Sequence, residues 1–215
     1  MTKKQTTKER EAVALTREAK KREIRLVKHA SAKRALDNFG QGTETFCVTH
    51  GQFSLMDAVQ VLLEKIGPCD VAMSTWTAGA ADLTRSAAAL NDGHIKTMRM
   101  VVDCSFGQRQ PGYLNSCRAL YGDEAIRSIR THLKFVVLTN ENYNVAVRTS
   151  MNLNENPRME YIEVSDNKEL CDFFLQIVDQ IFEEEAIGDF STKVVPVLRG
   201  MVDTKEIGMV TVGKL

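Results

Sequence analysis

A chain of 215 residues, 43% hydrophobic and 26% charged, is long enough for one sizeable core but too short for two full catalytic domains, and should fold without help from disulfides or lipid. The formal net charge of zero hides an asymmetry: residues 1–34 carry twelve Lys or Arg against four Glu, a net of +8, so the other 16 basic and 24 acidic residues, out of 28 and 28, carry −8. Five cysteines form an odd count with no CxxC pair, which argues against a disulfide framework or zinc knuckle; with no apolar run near the ~18 residues of a membrane span and no signal-peptide core, a cytoplasmic protein without membrane, metal or cofactor is expected.

Residues 1–38 lack Pro and, up to Asn38, Gly, and they are rich in Lys, Arg, Glu and Ala, so intrinsic propensity predicts a long solvated helix. "NFGQGTE" ends it, giving a basic helical arm over 1–40, a main domain over 41–187 and a weakly patterned tail over 188–215. Beyond the boundary, strands and helices alternate. "TFCVT" reads as a strand, and "SLMDAVQVLLEKIG" as a helix capped by Ser54 and stopped at Gly67. "CDVAMSTW" is a strand, "GAADLTRSAAALNDG" a helix, "IKTMRMVVDCSF" a strand, and "PGYLNSCRALYG" a helix. "IRSIRTHLKFVVLT" and "NVAVRTSMN" then form a hairpin around "NENY", "MEYIEVS" adds a strand, and "NKELCDFFLQIVDQIFEEEA" is an amphipathic helix with Leu170, Phe173, Phe174, Ile177, Ile181 and Phe182 on its apolar face. The pattern predicts an α/β fold, a mixed sheet sandwiched by helices.

The hairpin carries an unusual set of polar heads. On strands, residues two apart share a face, so His132 and Lys134 should project together, and so should Ser150 and Asn152 on the partner run, with Glu160 opening the next strand. Lysine supplies a positive charge, serine and asparagine supply neutral donors for phosphate oxygens, and a histidine can attack or protonate near neutral pH. A carboxylate such as Glu160 can hold the imidazole in one tautomer. An HxK pair alone is commonplace on a solvated strand; its occurrence together with Ser-x-Asn after a second apolar run is what points to a phosphate site.

"HLKFVVLTNENYNVAVRTSMNLNENPRMEYIEV" resembles the HKD motif of the phospholipase D superfamily: His132 and Lys134 match HxK, Ser150 and Asn152 match Ser-x-Asn, and Glu160 matches the later acid. The likeness extends more loosely from Thr45 to Phe182. It departs at Thr139, where the family pattern has aspartate, and at Thr149, where it has glycine. The resemblance implies a phospholipase D-like fold, a metal-independent phosphodiesterase with His132, Lys134 and Glu160 catalytic and Lys134, Ser150 and Asn152 on the phosphate, and a phosphohistidine intermediate. It also implies a homodimer, since a chain with one motif needs a second histidine from its mate.

A second HxK, His94 and Lys96 in "GHIKTMRMVVD", lacks a following Ser-x-Asn and reads as a decoy on an early strand. Asp103 and Cys104 close that strand, where ligand sites of α/β sheets cluster. Trp76, the single tryptophan, stands in the loop "STWTAG", where its ring either fills space or stacks on a base. The basic arm, with Lys20, Lys21, Arg22, Arg25 and Lys28 as its densest part, suits nucleic-acid backbone, a helical partner, or plain solvation. Together these features lead to a nuclease-like phosphodiesterase acting on DNA or RNA. The alternative is a homodimeric nucleic-acid binder that keeps the phosphate pocket without turnover; a phospholipase or phosphatidyl transferase fits less well.

Overall fold

The computed structural model describes residues 12–18, 27–29, 32–154 and 158–190. After two short strands, β1 (Ala12–Glu18) and β2 (Val27–His29), and one turn of helix, α1 (Ala32–Ala35), come β3 (Thr43–Thr49), α2 (Leu55–Ile66), β4 (Cys69–Thr75), α3 (Ala80–Asn91) and β5 (Ile95–Asp103). Then follow α4 (Phe106–Arg109), α5 (Pro111–Tyr121), β6 (Ile126–Ile129), β7 (Phe135–Thr139), β8 (Asn144–Thr149), β9 (Glu160–Asp166) and α6 (Lys168–Glu184). Among the described residues the strands form one nine-stranded mixed sheet, in the order β2-β1-β3-β9-β8-β7-β4-β5-β6, with β4, β5 and β6 parallel and the remaining neighbours antiparallel.

Alternation along the strands divides the core into two layers. Val71 and Met73 of β4, Met98, Met100 and Val102 of β5, and Val136 and Leu138 of β7 pack with α1, α2, α3 and α5 on one side. Ala72, Val101, Phe135, Val137 and Ala146 point the other way, against Cys171, Phe174, Ile177, Val178 and Ile181 of α6. Phe135 and Phe174 stack there, with ring centroids 4.4 Å apart. Phe173, expected on the apolar face, is exposed instead. The helix periodicity of α2 is reinforced at its start, where the Ser54 Oγ accepts from Asp57 N at 3.2 Å and Asp57 Oδ2 accepts from Ser54 N at 2.7 Å. At its end Gly67 adopts φ 79°, a conformation that favours glycine, and donates to Leu63 O at 3.0 Å.

The long N-terminal helix is not found among the described residues. Residues 12–18 pair along β3, from Val13 opposite Val48 to Glu18 opposite Thr43, and only Ala32–Ala35 are helical. Helix propensity is a weak prior, and strand pairing satisfies backbone groups that a bare β3 edge would leave open. Ala32, Ala35, Leu36 and Phe39 then join the core. Residues 1–11, 19–26, 30–31 and 191–215, and with them most of the predicted arm and tail, lie outside the described residues.

The second correction concerns "IRSIRTHLKFVVLT", which is two strands rather than one. β6 pairs parallel with β5, whereas β7 inserts between β4 and β8, so the chain crosses over β5 and β4 between Ile129 and Phe135. The run contains no Gly or Pro to mark that break. The hairpin expected around "NENY" is β7 and β8, with Thr139 opposite Asn144.

Candidate phosphate site

One end of the sheet collects the polar residues. β4, β5, β6, β8 and β3 finish there, at Thr75, Asp103, Ile129, Thr149 and Thr49; β7 and β9 begin there, at Phe135 and Glu160. His132 and Lys134 lie in the crossing segment before β7, not on a strand, and Ser150 and Asn152 lie just beyond β8. These residues lie at strand ends, whereas the expectation was a shared strand face.

His132 is exposed, and Lys134 folds back onto it. The Lys134 Nζ lies 3.3 Å from His132 Nδ1, 3.4 Å from Nε2 and 3.3 Å from the His132 carbonyl oxygen. Partial burial pushes the Lys134 pKa below the ordinary lysine value, with the Glu160 charge opposing that shift. Glu160 bonds to the Ser150 hydroxyl, which donates to its carboxylate and also accepts from Tyr161 N at 3.0 Å. Among the described residues no hydrogen bond links Glu160 to His132. Asn152 turns its Oδ1 into the protein, where it is buried without a partner among the described residues. Its amide nitrogen is thus the end left for solvent or ligand.

The flanks of His132 are pinned. Thr131 N donates to Asp103 Oδ2 at 3.0 Å, and Ser74 Oγ donates to Leu133 O at 3.0 Å. Burial alone would raise the Asp103 pKa. The Ser105 hydroxyl and amide, the Thr131 amide and the Arg109 charge together hold it below the usual carboxylate value. The Trp76 ring lies beside His132, centroids 5.7 Å apart and planes tilted by 58°, with the Arg109 guanidinium 3.7 Å above its centroid. Arg109 is the participant that sequence reasoning missed, because the four residues of α4 are too few to show a period.

Other predicted residues fall elsewhere. Thr139 sits at the opposite end of the sheet, opposite Asp70. Its neighbour Asn140 builds the hairpin turn: Oδ1 accepts from Asn142 N at 2.9 Å and Tyr143 N at 3.0 Å, while Nδ2 donates to Ile66 O at 2.8 Å. His94 precedes β5, also at the far end, so the second HxK does not approach the site. Lys28 is on β2, opposite Val13, whereas Lys20, Lys21, Arg22 and Arg25 lie outside the described residues. Among the described residues no group of three His, Cys, Asp or Glu is placed to hold a metal, and no helix is long and apolar enough to cross a membrane.

No protein-family model matches the sequence, and no curated protein matches it. Solved structures do. Nuc from Salmonella typhimurium, a phospholipase D family member, is 15% identical with a TM-score of 0.43, over 60% of this chain and 90% of its own. NucT from Helicobacter pylori is 11% identical with a TM-score of 0.47, over 66% of this chain and 98% of its own. A polyphosphate kinase from Porphyromonas gingivalis is 14% identical with a TM-score of 0.50, over 69% of this chain and only 27% of the kinase. The likeness is one of fold. The α/β fold is shared with the matched part of the kinase.

Proposed function

We propose that the protein is a phosphodiesterase of the phospholipase D type that acts on nucleic acid through a homodimeric site. The observation that carries this reading is the convergence of His132, Lys134, Ser150, Asn152 and Glu160, from three separate chain segments, on one end of the sheet. An imidazole nitrogen of His132 attacks phosphorus and forms an N–P bond while the P–O bond to the leaving group breaks. The partner subunit's His132 gives its proton to the departing oxygen. Water then attacks the phosphohistidine, its proton returns to that second imidazole, and free His132 is restored. Lys134 and the Asn152 amide offset charge on the non-bridging oxygens, and no step calls for a metal.

A second reading, a nucleic-acid-binding dimer without turnover, is favoured by one observation: Glu160 bonds to Ser150 and not to the imidazole it was expected to orient. Cleavage of labelled single- and double-stranded DNA and RNA in EDTA separates the two. The enzyme reading expects product from the wild type, a loss of roughly 10³-fold or more in His132→Ala, and about 10²-fold in Lys134→Ala, with binding retained in the histidine variant. Binding without product from any of these substrates would leave the second reading standing.

A further inference from the structure

Glu160 is engaged elsewhere, yet His132 is not left to itself. Its contacts close a ring through five other residues. The Asp103 carboxylate accepts from Thr131 N on one oxygen; on the other it accepts from Ser105 N at 2.9 Å and from the Ser105 hydroxyl. Ser105 Oγ accepts from Arg109 Nε at 3.0 Å, and Arg109 Nη2 donates to Trp76 O at 2.9 Å. The guanidinium covers the indole, and the indole meets the His132 ring, which follows Thr131 in the chain. Asp103 thus anchors both the backbone beside the imidazole and, through Ser105 and Arg109, the aromatic surface against which the imidazole rests.

We propose that Trp76, clamped by Arg109, is the positioning residue of His132, holding the imidazole in its attacking orientation in place of a carboxylate. An exposed histidine with two free side-chain torsions would otherwise divide its time among several rotamers, and small errors in the placement of a reacting group are costly. The indole supplies a planar wall that limits those rotamers, and neither Lys134 nor Asn152 is part of that wall.

The inference rests on His132 being the attacking group, and its test has one arm that does not. In that arm the His132 imidazole proton resonances, assigned by their loss in His132→Ala among four histidines, are followed by NMR. The indole ring current should displace them in the wild type, and Trp76→Ala should bring them back toward free histidine. In the kinetic arm, Trp76→Ala should lower kcat by roughly 10- to 100-fold at nearly unchanged KM, with Trp76→Phe restoring most of it. Arg109→Ala, which truncates an exposed side chain, should move both readouts in the same direction by less, and it serves if Trp76→Ala does not fold. Unchanged resonances in a folded variant overturn the proposal, as does an unchanged kcat. If the wild type cleaves nothing, the phosphodiesterase reading fails while the resonances still decide whether Trp76 holds His132.

Discussion

Asp103 shows how much one residue at a strand end can decide. Its carboxyl is held below the ordinary value, so the folded state binds its proton more weakly than the unfolded chain does. The sign follows: its contribution to stability is complete above the unfolded value of about 3.9 and is lost as pH falls through the lower folded value. Urea unfolding followed from pH 6 down through about 3.9 should therefore show the wild type losing an acid-sensitive component that Asp103→Asn lacks, the two converging only once the pH is below the folded value. Parallel curves for the two proteins would contradict this assignment. The sequence disclosed that Asp103 ended a strand, and strand ends are where such sites form. It did not disclose Arg109 or the amide of Thr131, since contacts across a loop leave no period in the chain. His132 and Lys134 were legible as a pair, though their contact comes from the lysine folding back in an irregular segment rather than from strand alternation.

Elements with their own stop and start signals were read well. Helix α2 has a capping box at Ser54 and a glycine at its end, and α6 has an Asn167 cap whose Oδ1 accepts from Leu170 N at 3.0 Å. The Ser54 hydroxyl also reaches the buried Asp82 at 3.1 Å, and Arg85 joins Asp57 and Asp82 beside it. Ser54→Ala should thus cost about 1–2 kcal/mol in denaturant unfolding, more than an exposed cap, because it removes both the cap and a partner of a buried carboxyl. A change below a few tenths of a kcal/mol would mean the cluster holds without it. The N-terminal strands were misread for the opposite reason: nothing local in a Lys-, Glu- and Ala-rich run reveals that β3 lies waiting as an unpaired edge.

At the scale of the whole molecule, α6 covers β7 and β8 but leaves apolar surface on the same side of the sheet. Val48 and Tyr161, partners across β3 and β9, are 38% and 49% exposed, and Tyr161 directly follows Glu160. If two copies complete one site, this face beside it is where apolar contact is available. Val48→Glu combined with Tyr161→Glu should shift sedimentation toward monomer and reduce cleavage per chain, and wild-type specific activity should rise with protein concentration. A wild type that is monomeric at tens of micromolar would count against the dimeric site.

The crossing between β6 and β7 has a mechanical consequence. From Ile129 to Phe135 the chain passes over two strands, three inter-strand spacings or about 14 Å, and six residue steps reach at most roughly 20–22 Å. His132 is therefore carried at the middle of a span that uses about two thirds of its full reach, and it is the anchors on either side, at Thr131 and Leu133, that hold it in place. Removing one residue would still let the chain span the gap, with roughly 16–18 Å of reach, but would draw His132 off one of its two anchors, and adding one would bulge it away from them. A deletion and an insertion in this segment should thus both be harmful, because either moves the imidazole out of register with the anchors at Thr131 and Leu133, where an ordinary surface loop would tolerate either.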